Sequence, residues 1–199
     1  MVLTNSGAEA IEAAMKHAML ETKGRTFICL KGAFHGKTLG AIQLTDLEKY
    51  RGPFVVDGLE VLRVEPGNIP ELEQKFRQTD NLAGFLYEPI LGEGGVHPVD
   101  PAFLKRAAEL CREKAVPFIA DEIQTGLGRT GSFLASEELG LEPDYITLSK
   151  ALGGGVAKVA TCMIRSEVYR PDFDVNHTST YAEDDLSSAV ALKTVQLID

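Results

Sequence analysis

The 199-residue chain is 44% hydrophobic and 25% charged, a balance ordinary for a globular protein and foreign to disordered, collagen-like or disulfide-scaffold sequences. Twenty Lys and Arg against 29 Asp and Glu leave a net charge of −9 with no basic stripe, which speaks against a nucleic-acid or anionic-membrane partner. No run approaches the roughly 18 apolar residues of a membrane helix, and the opening MVLTNSGAEA has neither the basic nor the apolar stretch of a signal peptide.

Strand-like apolar runs alternate with helical patterns along the chain. Val2–Thr4 reads as the end of a first strand whose beginning is expected to lie before Met1. Residues 7–22 then place Ile11, Ala14, Met15, Ala18 and Met19 on one helical face. Strand runs follow at Thr26–Lys31, Glu60–Val64 and Leu82–Glu88, with a weaker helix signal at Ile69–Gln78. Residues 101–114 predict a helix with Asp100 as cap and Pro101 in the first turn, and a stripe of Phe103, Leu104, Ala107, Ala108 and Cys111. Three more strands are predicted at Val116–Asp121, Tyr145–Ser149 and Ala160–Arg165, and a last helix at Asp185–Asp199. Seven strands alternating with helices give an α/β domain with a mostly parallel sheet covered on both faces. Cys29, Cys111 and Cys162 each sit in an apolar run and read as buried free thiols of a reducing compartment, so the chain is expected to be cytoplasmic. No Cys/His spacing suggests a metal site.

In such sheets ligands gather beyond the carboxyl ends of the strands, so the residues there carry the functional reading. After the first strand, Asn5-Ser6-Gly7-Ala8-Glu9 opens a helix; its free N–H groups could hold a phosphate, although Ser-Gly before a helix is more often just a cap. After the second, Phe34-His35 between glycines could stack on a planar ligand, or Phe34 could be core. Glu88 and Glu93 flank the turn after the fourth, as an acid/base pair or as solvated loop residues. Asp121 ends an apolar strand and, at the floor of a crevice, needs a cationic or protonated partner. Lys150 follows another apolar strand and precedes Gly153, Gly154 and Gly155; burial there would strip its solvation and make its amine nucleophilic. An exposed turn lysine leaves the three consecutive glycines unexplained. Together, a phosphate loop, a stacking aromatic, a buried aspartate and a nucleophilic lysine are the parts of a pyridoxal phosphate site.

The segments TNSGAEA, FHGKT, EPILGEGG, DEIQTGLGRTG, LSKALGGG and HTSTYAEDD run in order from residue 4 to about residue 185. In them the chain resembles the class III aminotransferases of the fold type I pyridoxal-phosphate enzymes, the ornithine, acetylornithine and omega-aminotransferases among them. The resemblance implies a three-layer α/β/α large domain and transfer of an amino group from an amine or amino acid to a keto acid, aldehyde or ketone. It implies that Lys150 forms the Schiff base with pyridoxal 5'-phosphate and moves the substrate proton, and that Asp121 pairs with the pyridine nitrogen. Gln124 would bond near the ring's phenolic oxygen, with Ile123 and Phe34 on the two ring faces and His35 beside the stack. Ser6, Gly7 and Ala8 would hold the phosphate, Glu88 would sit near the cofactor and Glu93 on the substrate side. Thr180 would reach the phosphate of a neighbouring subunit, which implies a homodimer.

The chain departs from the family's pattern at two places. Ala182-Glu183-Asp184-Asp185 stands where Gly-Gly-Asn-Pro is common, and Val156-Ala157-Lys158 where a proline often follows the glycine run. The family's members are about twice as long. Residues 1–199 are therefore expected to be the cofactor-binding large domain, with an N-terminal segment, a small C-terminal domain and the usual carboxylate-binding arginine outside it. The alternatives are an aminomutase on the same scaffold and a catalytically incomplete module. Gln124 and the LSKALGGG form favour the transferase, and neither a P-loop nor a GxGxxG fingerprint is present.

Overall fold

The computed structural model describes residues 1–198. Strand β1 (Val2–Thr4) leads into α1 (Gly7–Thr22), which returns the chain to β2 (Thr26–Leu30). Two short helices, α2 (Ala41–Leu44) and α3 (Glu48–Arg51), precede β3 (Glu60–Val64), and α4 (Ile69–Gln78) connects to β4 (Leu82–Tyr87). A small hairpin of β5 (Ile90–Leu91) and β6 (His97–Pro98) comes before α5 (Pro101–Lys114) and β7 (Phe118–Asp121). The chain then runs through α6 (Ala135–Glu138), β8 (Tyr145–Leu148), β9 (Ala160–Ile164), α7 (Phe173–Asn176) and α8 (Asp185–Ile198).

All seven expected strands are present, each within two residues of its predicted bounds, and they form one sheet in the order β1-β9-β8-β7-β4-β2-β3. β3, β2, β4, β7 and β8 are parallel; β9 runs antiparallel to β8 and to β1, so β1 points the same way as β8. Six of the seven strands therefore end on the same edge. The sequence missed the β5–β6 hairpin and the four-residue helices, which are too short to show a period. The last residue of the predicted final helix, Asp199, lies outside the described residues.

The helices form for local reasons. Asp100 accepts the Ala102 N–H at 2.9 Å and Pro101 stands first in α5. Asn68 caps α4 through the Glu71 N–H at 3.2 Å. Ser6 caps α1, its hydroxyl accepting the Glu9 N–H and donating to the Glu9 carboxylate, which also accepts the Asn5 N–H. The alanines Ala10, Ala13, Ala14 and Ala18 let α1 lie close on the sheet, burying a wider face than the predicted stripe.

Core packing covers both faces of the sheet. On one, Phe85, Tyr87 and Phe118 stack under α4 and α5, with Tyr87 and Phe118 4.6 Å apart. On the other, Phe27, Leu86 and Ile119 meet Ile11, Ala14 and Met15 of α1. Each such large side chain contributes about 1.5–3 kcal/mol. Cys29, Cys111 and Cys162 are free and buried, as read from the sequence, and burial pushes the Cys29 and Cys162 thiols up to about 12. Among the described residues no helix is long and apolar enough to cross a membrane.

His17, inside α1, is fully buried and ties that helix to the segment after β9. Its Nε2 accepts the Arg170 N–H at 3.0 Å, so its Nδ1 carries the proton and faces the Tyr145 hydroxyl at 2.7 Å. Burial pushes its pKa down to about 4, with the positive Arg170 adding to the effect and Asp172 opposing it. The neutral ring is the native form. Its contribution is complete above the unfolded pKa near 6.5 and is lost as pH falls toward 4, a difference of up to about 3 kcal/mol. Urea midpoints at pH 7 and pH 4 should fall further in the native protein than in a His17→Gln variant. Equal falls would show that the ring tolerates the proton.

Candidate active site

The carboxyl edge of the sheet builds one cavity of about 370 Å³. Its walls come from the ends of five strands: Gly7 and Ala8 after β1, Phe34 to Lys37 after β2, and Glu88 after β4. Asp121, Ile123 and Gln124 at β7 and Ser149 and Lys150 after β8 complete it. That volume suits a small ligand or cofactor.

Asp121 is the last residue of β7 and is buried. The sequence required a partner for it, and the partner is His35. The His35 Nδ1 lies 2.8 Å from Asp121 Oδ2, and both side chains are all but inaccessible. The other carboxylate oxygen faces the Ile123 N–H at 3.1 Å and, at 3.4 Å, the hydroxyl of Thr147, its partner in the β7–β8 register. The Nδ1 of His35 therefore carries a proton, while its buried Nε2 has no partner among the described residues. His35 itself is held by its backbone. Its N–H donates to Thr45 Oγ1 at 3.0 Å, and that hydroxyl in turn reaches the Gly36 carbonyl at 3.1 Å. Gly36 has φ 131°, and a Cβ there would strike Ala8 Cβ at 2.8 Å. Glycine thus lets the His35 loop close onto the start of α1.

Lys150 departs from the sequence reading. It is exposed rather than buried, because β8 ends at Leu148 and the lysine already stands on the cavity rim beyond buried Ser149. Geometry holds it instead. Its Nζ donates to Gln124 Oε1 at 2.9 Å. Its backbone adopts φ 44°, a left-handed conformation costing a side-chain-bearing residue about 1–2 kcal/mol.

Glu88 follows β4 and is buried beside this pair. One oxygen accepts the Phe34 N–H at 2.8 Å and the other the Gly92 N–H at 3.2 Å. Burial pushes its carboxyl above the ordinary range; His35 opposes this and the Asp121 charge adds to it. Phe34 lines the cavity and meets Tyr50 edge-on at 6.0 Å, and Lys37 at the rim sits 3.9 Å over the same Tyr50 ring.

Of the sequence-named residues, Gly7, Ala8, Phe34, His35, Glu88, Asp121, Ile123, Gln124 and Lys150 share the cavity. Ser6, Glu93 and Thr180 are not among its lining residues. The Ser6 hydroxyl is engaged with Glu9, Glu93 is exposed in the β5–β6 turn, and Thr180 is exposed before α8. Glu88 and Glu93 thus occupy unlike environments, one buried and one in solvent. Lys37, Thr45 and Thr147 went unread. Lys37 lies inside the FHGKT segment, where the resemblance assigned it no role, whereas nothing distinguishes Thr45 or Thr147 from other threonines of the chain.

Comparison with known proteins adds the family. The acetylornithine aminotransferase of Archaeoglobus fulgidus is 39% identical over 197 residues, covering 98% of this chain and 51% of that protein. The aminotransferase PigE of a Serratia species is 38% identical over 200 residues, covering 98% of this chain and 23% of that protein. An ornithine aminotransferase structure from Toxoplasma gondii, described with pyridoxal phosphate partly occupying its active site, superposes with a TM-score of 0.89. It shares 35% identity and covers 99% of this chain and 48% of its own. The chain thus spans about half the length of the acetylornithine and ornithine enzymes it matches. The family profile described as Aminotransferase class-III matches residues 1–199, and the chain belongs to the class III aminotransferases.

Proposed function

We propose that this chain is the cofactor-binding part of a pyridoxal-phosphate-dependent aminotransferase that moves an amino group from an amine or amino acid to a keto acid, aldehyde or ketone. The observation that supports this most is the convergence of the Asp121–His35 pair and the Lys150–Gln124 pair on one cavity.

The residues present fit pyridoxal phosphate. The 16-residue α1 opens at the cavity: the Glu9 N–H is taken by Ser6, while Gly7 and Ala8 line the wall and offer their first-turn N–H groups as a phosphate seat. The buried His35 Nε2, without a partner among the described residues, marks a polar position open to a ligand. When bound, the cofactor supplies the electron sink that stabilises charge on a substrate carbon.

The chain's own residues then do four things. Asp121, fixed by three donors, presents a negative charge that orients the ring and holds a proton on its nitrogen. Phe34 and Ile123 give the planar group apolar contact and exclude water from it. Lys150 supplies the amine that attaches the cofactor and carries the substrate proton at its Nζ, with Gln124 Oε1 keeping that atom over the cavity. Lys37 places a cation at the rim, where a substrate carboxylate would enter.

Exposed Thr180 supports a second copy of the chain as partner, with Thr180 completing the phosphate seat of its neighbour. The three buried free thiols support a cytoplasmic location. Glu93 would stand on the substrate side and Ser6 behind the phosphate seat.

The test is to load the protein with pyridoxal phosphate and follow nitrogen from a labelled amino donor to an external keto acid. Equal formation of carbonyl product and aminated acceptor is expected. Nitrogen that only migrates within one molecule, or no transfer by a protein that has bound the cofactor, would overturn the proposal.

A further inference from the structure

We propose that Glu88 is a positioning residue, one carboxylate that sets the aromatic wall of the cavity and the reactive lysine together, rather than a group that touches the ligand. This rests on reading the cavity as the reaction site.

The geometry runs in two directions from that carboxylate. Glu88 Oε1 accepts the N–H of Phe34, the aromatic residue of the loop after β2. Glu88 Oε2 accepts the N–H of Gly92, at the start of the β5–β6 turn. Gly92 lies against Gln124, since a Cβ on it would stand 2.4 Å from Gln124 Oε1. That oxygen in turn receives the Lys150 Nζ at 2.9 Å. Glu88 is thereby joined to Phe34 on one side and, through Gly92 and Gln124, to Lys150 on the other.

Its position in the sheet explains why one residue can do this. Tyr87 pairs with Ala120 in the β4–β7 register, so Glu88 emerges level with Asp121 in the middle of the carboxyl edge. Phe34 reaches it from the β2 side. Both carboxylate oxygens are already occupied by backbone donors, and Glu88 is only 5% exposed. A buried carboxylate with a backbone donor on each oxygen is held by its own chain. The titratable groups facing it are His35 and Asp121, which are bound to each other.

Backbone amide exchange of the cofactor-free protein is the readout, because it is independent of amino transfer. In Glu88→Ala both the Phe34 and the Gly92 amides should exchange about 10-fold faster or more, each having lost its acceptor. Glu88→Gln has one acceptor oxygen and should leave one of the two protected. The buried Cys29 and Cys162 should stay closed to alkylation in both, which shows that the sheet is intact. Gly92→Ala acts on the other arm: it displaces Gln124 while Phe34 keeps its acceptor. It should weaken pyridoxal phosphate binding about 10-fold with the Phe34 amide still protected.

Glu88→Ala should weaken that binding at least as much. Unchanged protection of both amides in Glu88→Ala, with binding of pyridoxal phosphate lost, would overturn the proposal in favour of direct contact. General acceleration of exchange across β2 and β4, with Cys29 exposed, would reduce Glu88 to a residue of ordinary structural stability and overturn it as well. If the amides behave as stated and no nitrogen is transferred, the clamp stands and the reaction assigned to the cavity fails.

Discussion

Lys150→Ala is expected to lower amino transfer by at least about 10⁴-fold while leaving the fold intact. The size follows from the two tasks assigned to one amine. A positioned proton carrier contributes about 10²–10⁴-fold alone, and attachment of the cofactor adds to it. Stability should change little, because Lys150 is exposed and its side chain donates to Gln124 alone among the described partners. The backbone strain supplies a second arm. With φ at 44°, glycine fits this position better than alanine or lysine. Lys150→Gly should be as inactive as Lys150→Ala and at least as stable, which separates loss of chemistry from loss of fold. Rates from stopped assays and midpoints from urea titration check the pair. An alanine variant retaining a tenth of the native rate would remove Lys150 from the reaction.

Asp121→Asn carries the second largest expected effect, a loss of about 10²–10³-fold, the range seen when one preorganised electrostatic group is removed. Asparagine keeps the shape and removes the charge that would hold a proton on the ring. It also turns an acceptor-only group into one with two donors. Asp121 currently faces three donors, from His35, Ile123 and Thr147. At least one of them must then meet an amide N–H. Leaving a buried donor unpaired costs about 1–3 kcal/mol, so stability should fall with activity. His35→Gln separates the two effects. It keeps the Asp121 charge while changing its strongest neighbour, and should lower the rate less than Asp121→Asn does. The reverse order would move the essential charge from the aspartate to the histidine.

The parts of this account legible in the sequence are those carried by short-range pattern. The strands show as short runs bounded by Gly, Pro or charged residues, and six of them point the same way because helices and long crossovers return the chain between them. Asp121 and Lys150 stood out because a charged residue at the end of such a run needs a reason. The pairing of Asp121 with His35 was not legible, since the two are 86 residues apart and meet through the β2, β4 and β7 order. The environment of Lys150 was misread for a related reason. Sequence shows that an apolar strand precedes the lysine, but the exact residue at which β8 leaves the sheet decides whether the side chain is buried or on the rim. Thr45 and Thr147 had no local signal at all, because a hydroxyl acts here only through partners supplied by other loops. The β5–β6 hairpin escaped because two-residue strands carry no alternation to read, yet its turn carries Gly92 and Glu93.

The central claim is that Lys150, and no other amine, is the attachment point in this cavity. It is tested most directly by incubating the protein with pyridoxal phosphate, reducing with borohydride and mapping the modified lysine by peptide mass spectrometry. The expected result is a single modified peptide containing Lys150, absent in Lys150→Ala. Modification at Lys37 or Lys158 instead, or a protein that binds the cofactor with Lys150 unmodified, would contradict the account.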